Sequence, residues 1–175
     1  MRRREILAGL GGLGVLSAGG AYQADLLDSE RFGNQERTDI DPVDLPRLEA
    51  PGSSEGMETV PEEGRVTFLS VFATWCTICQ AEMPTLGDAA EELDDVQFLS
   101  LTYELVDEED IVDWWHEYDG SWPVVHDEDM QLMRQFDDAT GVPYSAVIDA
   151  DNRLVWDGLG EKSTEEIVTT VEEYL

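Results

Sequence analysis

Two cysteines separated by two residues constrain this chain more than any other feature of its sequence. Cys76 and Cys79 are the only cysteines among 175 residues, and they stand in the segment Trp75–Cys79. A continuous apolar run at 66–73 leads into them, and a helix-like stretch follows. A lone Cys-x-x-Cys pair at the junction of a strand and a helix indicates a redox-active dithiol. The sequence therefore predicts a buried strand that delivers two thiols to the start of a helix.

The charge of the chain excludes two classes of partner. Forty Asp and Glu residues stand against ten Lys and Arg, which gives a formal net charge of −30. Such a surface repels nucleic-acid phosphates and anionic lipid, so we expect neither as a partner of the folded part. The acidic residues are spread along the chain, and molar salt shortens the screening length to about 3 Å. We therefore predict adaptation to a very salty environment; a specific basic partner would more naturally need one localised acidic face.

Residues 1–24 have the pattern of an export signal or an N-terminal membrane anchor. Three arginines at 2–4 precede a short, glycine-rich apolar run that ends in small residues. This order is typical of a secretory signal. The segment from Arg3 to Leu7 resembles the twin-arginine motif, which directs the export of folded proteins. We expect the protein at the extracytoplasmic face of the cell membrane, either anchored or secreted, with membrane contact only through this segment.

Changes in composition divide the rest of the chain. Residues 25–46 are polar and acidic with no sustained period, which predicts a flexible spacer. Residues 47–175 alternate apolar segments of strand and helix period, which predicts one α/β domain. Strands are predicted at 57–60, 66–73, 96–102, 144–149 and 154–158, a short extended piece at 122–126, and helices at 76–93, 107–118, 130–136 and 164–175.

Several motifs, in this order, resemble a known family. The segment 72–79 matches the strand-to-active-site segment of thioredoxin-like proteins, specifically the exported TlpA/ResA-like thiol–disulfide oxidoreductases. Glu82 and Pro84 match that family's acidic residue and kinking proline, and residues 141–143 with the following strand match its cis-proline loop. One position departs from the family pattern, because Ile78 stands where the family often has proline.

The resemblance covers the chain from about Leu45 to the C-terminus. It implies a thioredoxin fold, in which a central mixed β-sheet is flanked by helices and carries an N-terminal strand extension. The residues between the cysteines influence the reduction potential of such a dithiol. The direction of electron flow therefore stays open in the sequence.

The two thiols have different predicted roles. Cys76 is expected to be the attacking thiol, because the unpaired N–H groups and the dipole at a helix N-terminus stabilise a thiolate. Cys79, one turn later and more buried, is expected to attack Cys76 and release the substrate. We expect no cofactor beyond this redox-active disulfide and no metal. A purely structural disulfide is the alternative, although such a short loop stabilises little.

Five further residues complete the predicted site. The resemblance implies a cis peptide bond before Pro143, which faces the dithiol, and a backbone at Val142 that binds the extended chain of a substrate. Trp75 and Tyr144 are predicted to contact substrate. Glu82 lies three residues after the second cysteine, and we expect a partly buried carboxyl with a raised pKa. The resemblance implies that an acid at this position assists proton transfer around the cysteines. The alternatives are an ordinary trans proline, a solvated glutamate and a tryptophan packed in the core.

The remaining aromatic and histidine side chains are predicted to be structural. Trp114, Trp115 and Trp122 are assigned to core and lid packing. His116 and His126 are predicted to be surface residues, since neither has a ligand-like spacing to other residues.

These predictions converge on an exported thiol–disulfide oxidoreductase that exchanges disulfides with partner proteins, with reduction as the preferred direction. In the family that the chain resembles, partners include apocytochromes and copper-site proteins, and a membrane electron donor recharges the dithiol. A disulfide-forming oxidant with the same chemistry stays open. A copper-binding chaperone that uses both cysteines and a histidine is a third hypothesis. No feature indicates a stable oligomer, so we expect a monomer.

Overall fold

The computed structural model describes residues 38–175. Within this range no helix combines the length and the apolar composition that crossing a bilayer requires. The elements are β1 (Val43–Arg47), β2 (Gly56–Val60), β3 (Thr67–Val71), α1 (Thr77–Glu92), β4 (Gln97–Thr102), α2 (Glu108–Glu117), β5 (Val124–His126), a 3-10 turn (Met133–Gln135), β6 (Tyr144–Ile148), β7 (Leu154–Leu159) and α3 (Thr164–Glu172).

All seven strands form one mixed sheet in the order β2-β1-β5-β4-β3-β6-β7. The central strands β3, β4 and β5 are parallel, and α1 and α2 connect them in turn. The hairpin of β6 and β7 adds antiparallel strands beyond β3. The predicted mixed sheet is therefore confirmed, with a helix-linked parallel part followed by a hairpin.

The sheet separates two apolar cores. Every residue of β3 and β4 is buried. The continuous apolar run predicted this for β3, whereas the alternating sequence of β4 did not indicate burial on both faces. Alternate side chains enter different cores: Phe68 and Phe98 stack at 4.8 Å in the core beneath the helices, whereas Leu69 and Leu99 enter the other. The predicted burial of the three tryptophans is also confirmed, since they lie in the first core: Trp114, Trp115 and Trp122.

The start of helix α1 carries both cysteines and Glu82. Cys76 is its N-cap residue, with an extended backbone, and its Sγ accepts a hydrogen bond from the backbone N–H of Cys79 at 3.1 Å. Pro84 lies inside the helix, as predicted. The face turned to the core consists of Cys79, Glu82, Met83, Leu86 and Ala89. Glu82 is the only ionisable carboxyl on this buried face, and a carboxyl is rarely buried without a specific role or partner.

The folded part begins earlier than the sequence indicated. β1 pairs with β2 over its full length, and Ile40 is buried in the second core. The prediction that residues 25–46 form a spacer is therefore wrong at its C-terminal end. In β1 the side chain of Leu45 is buried while its neighbours are exposed, a strand alternation that a proline and charged residues conceal. The start of that segment and the predicted signal at 1–24 lie outside the described residues.

The predicted helix at 130–136 is also wrong. Only Met133–Gln135 is helical, as a single 3-10 turn. The carboxylate of Asp127, itself buried, accepts hydrogen bonds from the backbone N–H groups of residues 131–133 at 2.6 to 3.0 Å. The Asp127 carboxylate thus caps the start of this segment, and one 3-10 turn follows it.

Candidate active site

The cysteines lie at the sheet edge where β3 ends and β6 begins. In the register of these antiparallel strands, Val71 stands opposite Tyr144. The segment after Val71, which carries the cysteines, is therefore beside the segment that precedes Tyr144, which carries Pro143. In the parallel pair of β3 and β4, Val71 stands opposite Leu101, so the loop after β4 reaches the same edge. Three loops thus converge around the dithiol.

Cys76 and Cys79 form a disulfide with a Cα–Cα distance of 5.3 Å. Both are buried, and Cys79 is the more buried of the two, with 2% of its surface exposed against 5% for Cys76. The N–H of Cys79 that points at the Sγ of Cys76 is placed to stabilise a thiolate on that sulfur. The geometry therefore agrees with an attacking thiol at Cys76 and a resolving thiol at Cys79.

Glu82 is fully buried on the same helix face as Cys79. Its Oε1 accepts a hydrogen bond from the backbone N–H of Lys162 at 2.8 Å, and its Oε2 has no hydrogen-bond partner among the described residues. Burial raises the pKa of Glu82 from 4.5 to about 7, while the N–H and the charge of Lys162 partly oppose the rise. The carboxyl that the sequence predicted to be buried with a raised pKa has these properties, and it can change protonation near neutral pH.

The proline loop has the predicted conformation. The peptide bond between Val142 and Pro143 is cis, and the Pro143 carbonyl accepts a hydrogen bond from the N–H of Gly160 at 2.8 Å. The side chain of Val142 is half-buried. No hydrogen bond within residues 38–175 uses the backbone N–H or C=O of Val142. The described part of the chain therefore leaves both hydrogen-bonding groups of Val142 unused.

Apolar side chains surround the dithiol at the surface. Trp75 directly precedes Cys76 and is 72% exposed, so it is not a core residue. Ile78, Leu105 and Leu159 are also largely exposed, and the Leu159 side chain lies next to Gly141 of the proline loop. This group of exposed apolar side chains forms an apolar rim and is a candidate contact surface.

Tyr144 does not belong to this rim, and its predicted contact with substrate is wrong. Its side chain is fully buried in the second core, where its ring meets that of Phe136 edge-on at 5.8 Å. Its hydroxyl donates to Asp157 Oδ2 at 3.0 Å, and burial, followed by the Asp157 carboxylate, raises the pKa of this hydroxyl. The strand that Tyr144 begins is paired on both sides, so its inward residues point into a core.

Sequence reasoning missed Glu104, which braces the cysteine loop. The Glu104 carboxylate accepts hydrogen bonds from the backbone N–H of Thr74 at 2.6 Å and from its hydroxyl at 3.2 Å. Thr74 follows β3 and Glu104 follows β4, and the carboxyl ends of neighbouring parallel strands meet at one edge. The neighbouring ends of these two parallel strands were the signal from which the contact between Glu104 and Thr74 could have been predicted.

His126 holds Glu104 in turn. Its Nε2 lies 2.9 Å from the Glu104 carbonyl oxygen, which can only accept, so Nε2 carries the hydrogen. His126 is buried, which makes its prediction as a surface residue wrong, whereas His116 is exposed as predicted. Across residues 38–175, no three His, Cys, Asp or Glu side chains are grouped so that they could hold a metal ion.

Comparison with known proteins identifies the family. A family model described as Redoxin matches residues 45–175. The chain belongs to the Redoxin family. The Redoxin match begins within β1, so it includes all the site residues and every other strand of the sheet.

Among curated relatives, the thiol-disulfide oxidoreductase ResA of Bacillus thuringiensis is 28% identical over 117 residues, which are 65% of this chain and 63% of the relative. The match thus spans less than two thirds of that relative. StoA from Bacillus subtilis aligns with a TM-score of 0.65 at 17% identity, over 75% of this chain and 97% of StoA. The exposed lipoprotein thioredoxin Etrx1 of Streptococcus pneumoniae aligns with a TM-score of 0.64 at 24% identity, over 76% and 99%. These likenesses confirm the predicted thioredoxin-like fold.

Proposed function

We propose that this chain is a thiol–disulfide oxidoreductase that reduces disulfides in partner proteins through Cys76 and Cys79. The observation that carries the proposal is a disulfide at the N-terminus of α1 with a buried carboxyl, Glu82, on the same helix face. Membership of the Redoxin family and the similarity to relatives named thiol-disulfide oxidoreductase support it.

The reaction begins with the reduced dithiol. The Cys76 thiolate attacks one sulfur of a substrate disulfide, and the other substrate sulfur leaves as a thiolate that takes a proton from solvent. Cys79 then gives its thiol proton to the Glu82 carboxylate, and its sulfur attacks the Sγ of Cys76. The second substrate sulfur leaves and is protonated, so two electrons have passed from the dithiol to the substrate and the protein retains its disulfide.

Glu82 is suited to the second step because Cys79 has little access to water. Only 2% of the Cys79 surface is exposed, so its proton needs an acceptor inside the protein. With its pKa raised to about 7 by burial, Glu82 is divided between its two protonation states near neutral pH. Such a group can both take and return a proton, which is the requirement for a general acid and base.

The surface around the dithiol indicates the class of substrate. The exposed rim of Trp75, Ile78 and Leu159 favours an apolar segment, and the free backbone groups of Val142 favour an extended one. The net charge of −30 disfavours acidic segments. We therefore propose an extended, neutral or basic protein segment that carries a disulfide.

A disulfide-reduction assay in molar KCl tests the proposal. The reduced protein should reduce a model protein disulfide such as that of insulin. Cys76→Ser should abolish the reaction, while Cys79→Ser should stop at a mixed disulfide on Cys76. Glu91→Gln, an exposed change on the same helix, serves as the control and should react like the unmodified protein. Unchanged turnover in Cys76→Ser would refute the proposal.

The reducing direction has its own test. Equilibration of the dithiol with a redox buffer in molar KCl gives its reduction potential. A value of about −270 mV, as in thioredoxin, supports a reductant, whereas one of about −120 mV, as in DsbA, identifies an oxidant.

We also propose that the protein works outside the cell membrane, recharged by a membrane electron donor. The arginines and apolar run within residues 1–24 support export. Cell fractionation of a variant with Arg3→Lys and Arg4→Lys tests it. Loss of the exported protein supports twin-arginine export, and unchanged export counts against it.

A further inference from the structure

The loop between β7 and α3 touches both halves of the site. The backbone N–H of Gly160 donates to the Pro143 carbonyl at 2.8 Å. Two residues later, the backbone N–H of Lys162 donates to Glu82 Oε1, also at 2.8 Å. One short loop thus holds the proline loop with one N–H group and the buried carboxyl with another.

The Lys162 ammonium binds backbone carbonyls of its own loop. Its Nζ donates to the carbonyl oxygens of Leu159 at 3.0 Å and Gly160 at 2.6 Å, and it lies 5.7 Å from the ring centre of Trp156. Lys162 is buried, and it is the single lysine of the chain. Gly160 has a φ of +86°, which lets both carbonyls turn toward one cation. A buried cation bound to backbone carbonyls fixes the shape of a loop more firmly than a neutral donor.

We propose that Lys162 is a positioning residue of this site: its ammonium holds the loop in the shape that aims one N–H at Glu82 and another at Pro143. The buried carboxyl and the substrate-binding loop are thereby held by one element. The catalytic consequence of this inference rests on the proposed function, in which Glu82 carries a proton and Val142 binds the substrate.

The charged groups around Glu82 give the inference a measurable consequence. The charged groups that act on Glu82 are Lys162 and Glu161 from the loop and Glu166 from α3. The N–H and the charge of Lys162 lower the pKa of Glu82, whereas Glu161 and Glu166 raise it. Removing the ammonium takes away one of the two influences that lower the pKa of Glu82 and loosens the aim of the other, so the pKa should rise while the carboxyl stays buried.

Carbon-13 NMR titration of the Glu82 carboxyl tests the inference in the oxidised full chain at molar KCl, with the signal assigned from Glu82→Gln. Lys162→Met keeps the length of the stem but removes the charge and the donors, and it should raise the pKa of Glu82 by about one unit. Lys162→Arg should restore most of the original value. Arg134→Met, which removes one exposed positive charge from the 3-10 turn, should leave the titration unchanged.

Three outcomes would overturn the inference: an unchanged Glu82 titration in Lys162→Met, an equal shift in Arg134→Met, or unchanged hydrogen-exchange protection of the Gly160 and Lys162 N–H groups in Lys162→Met. The third outcome separates a moved loop from the simple loss of a nearby charge. If Lys162→Met does not fold, Lys162→Gln replaces it and must shift the titration in the same direction. Since the titration uses oxidised protein without substrate, it remains decisive even if the proposed exchange activity fails. In the exchange assay, Lys162→Met should also raise KM, because the proline loop loses its support, whereas lower stability alone would leave KM unchanged.

Discussion

Glu82→Gln removes the buried carboxyl of α1 while keeping an oxygen that can accept the N–H of Lys162. Burial raises the pKa of Glu82 from 4.5 to about 7, so the folded protein binds this proton more tightly than the unfolded chain does. The stabilisation that follows is complete below the unfolded pKa of 4.5 and is lost as the pH rises through about 7. Between about pH 5.5 and about pH 8.5, linkage gives a loss of about 2 kcal/mol from this one group.

Urea unfolding of the oxidised protein in molar KCl measures this loss. The free energy of unfolding of Glu82→Gln, relative to the unmodified protein, should rise by about 2 kcal/mol across that pH range, because glutamine does not titrate. Glu91→Gln makes the same chemical change at an exposed position of α1 and should show no such trend. A difference between Glu82→Gln and the unmodified protein that stays constant from acid to base would refute the raised pKa and, with it, the proton-carrying role.

Three other changes test separate parts of the structure. Tyr144→Phe should lower the free energy of unfolding by about 1 kcal/mol through the lost bond to Asp157, with the disulfide-exchange rate unchanged; a slower rate would return Tyr144 to the site. Glu104→Ala should cost about 2 kcal/mol and slow exchange, because Thr74 loses both hydrogen bonds that brace the cysteine loop; normal exchange would remove Glu104 from the positioning residues. Raising KCl from about 0.1 M to about 2 M should raise the urea midpoint, because salt screens the net charge of −30, and a falling midpoint would contradict salt adaptation.

Local patterns were enough to predict the centre of the site. The apolar run at 66–73 and the spacing of the cysteines placed a dithiol at a helix start, and this is where Cys76 caps α1. The separation of three residues placed Glu82 on the face of Cys79. These features depend on residues only a few positions apart, so the sequence pattern alone is enough to predict them.

Features that depend on distant contacts could not be predicted in this way. The partner of Glu82 is the N–H of Lys162, 80 residues away, in a loop without a recognisable motif. Strand β1 was missed because Pro46 interrupts its pattern; the strand tolerates this proline since it pairs with β5 only at Arg47. Tyr144 was predicted to contact substrate, but strand alternation turns its ring into the core.

The rate of Cys76 alkylation as a function of pH, measured on the reduced protein in molar KCl, tests most directly whether this sulfur is an acidified nucleophile. Mass spectrometry identifies the modified cysteine. Because Cys76 caps a helix and its Sγ faces the N–H of Cys79, the rate should level off well below the pKa of about 8.5 of an ordinary thiol, with modification on Cys76 first. A rate that still climbs through about pH 8.5, or first modification of Cys79, would contradict the assignment of Cys76 as the attacking thiol.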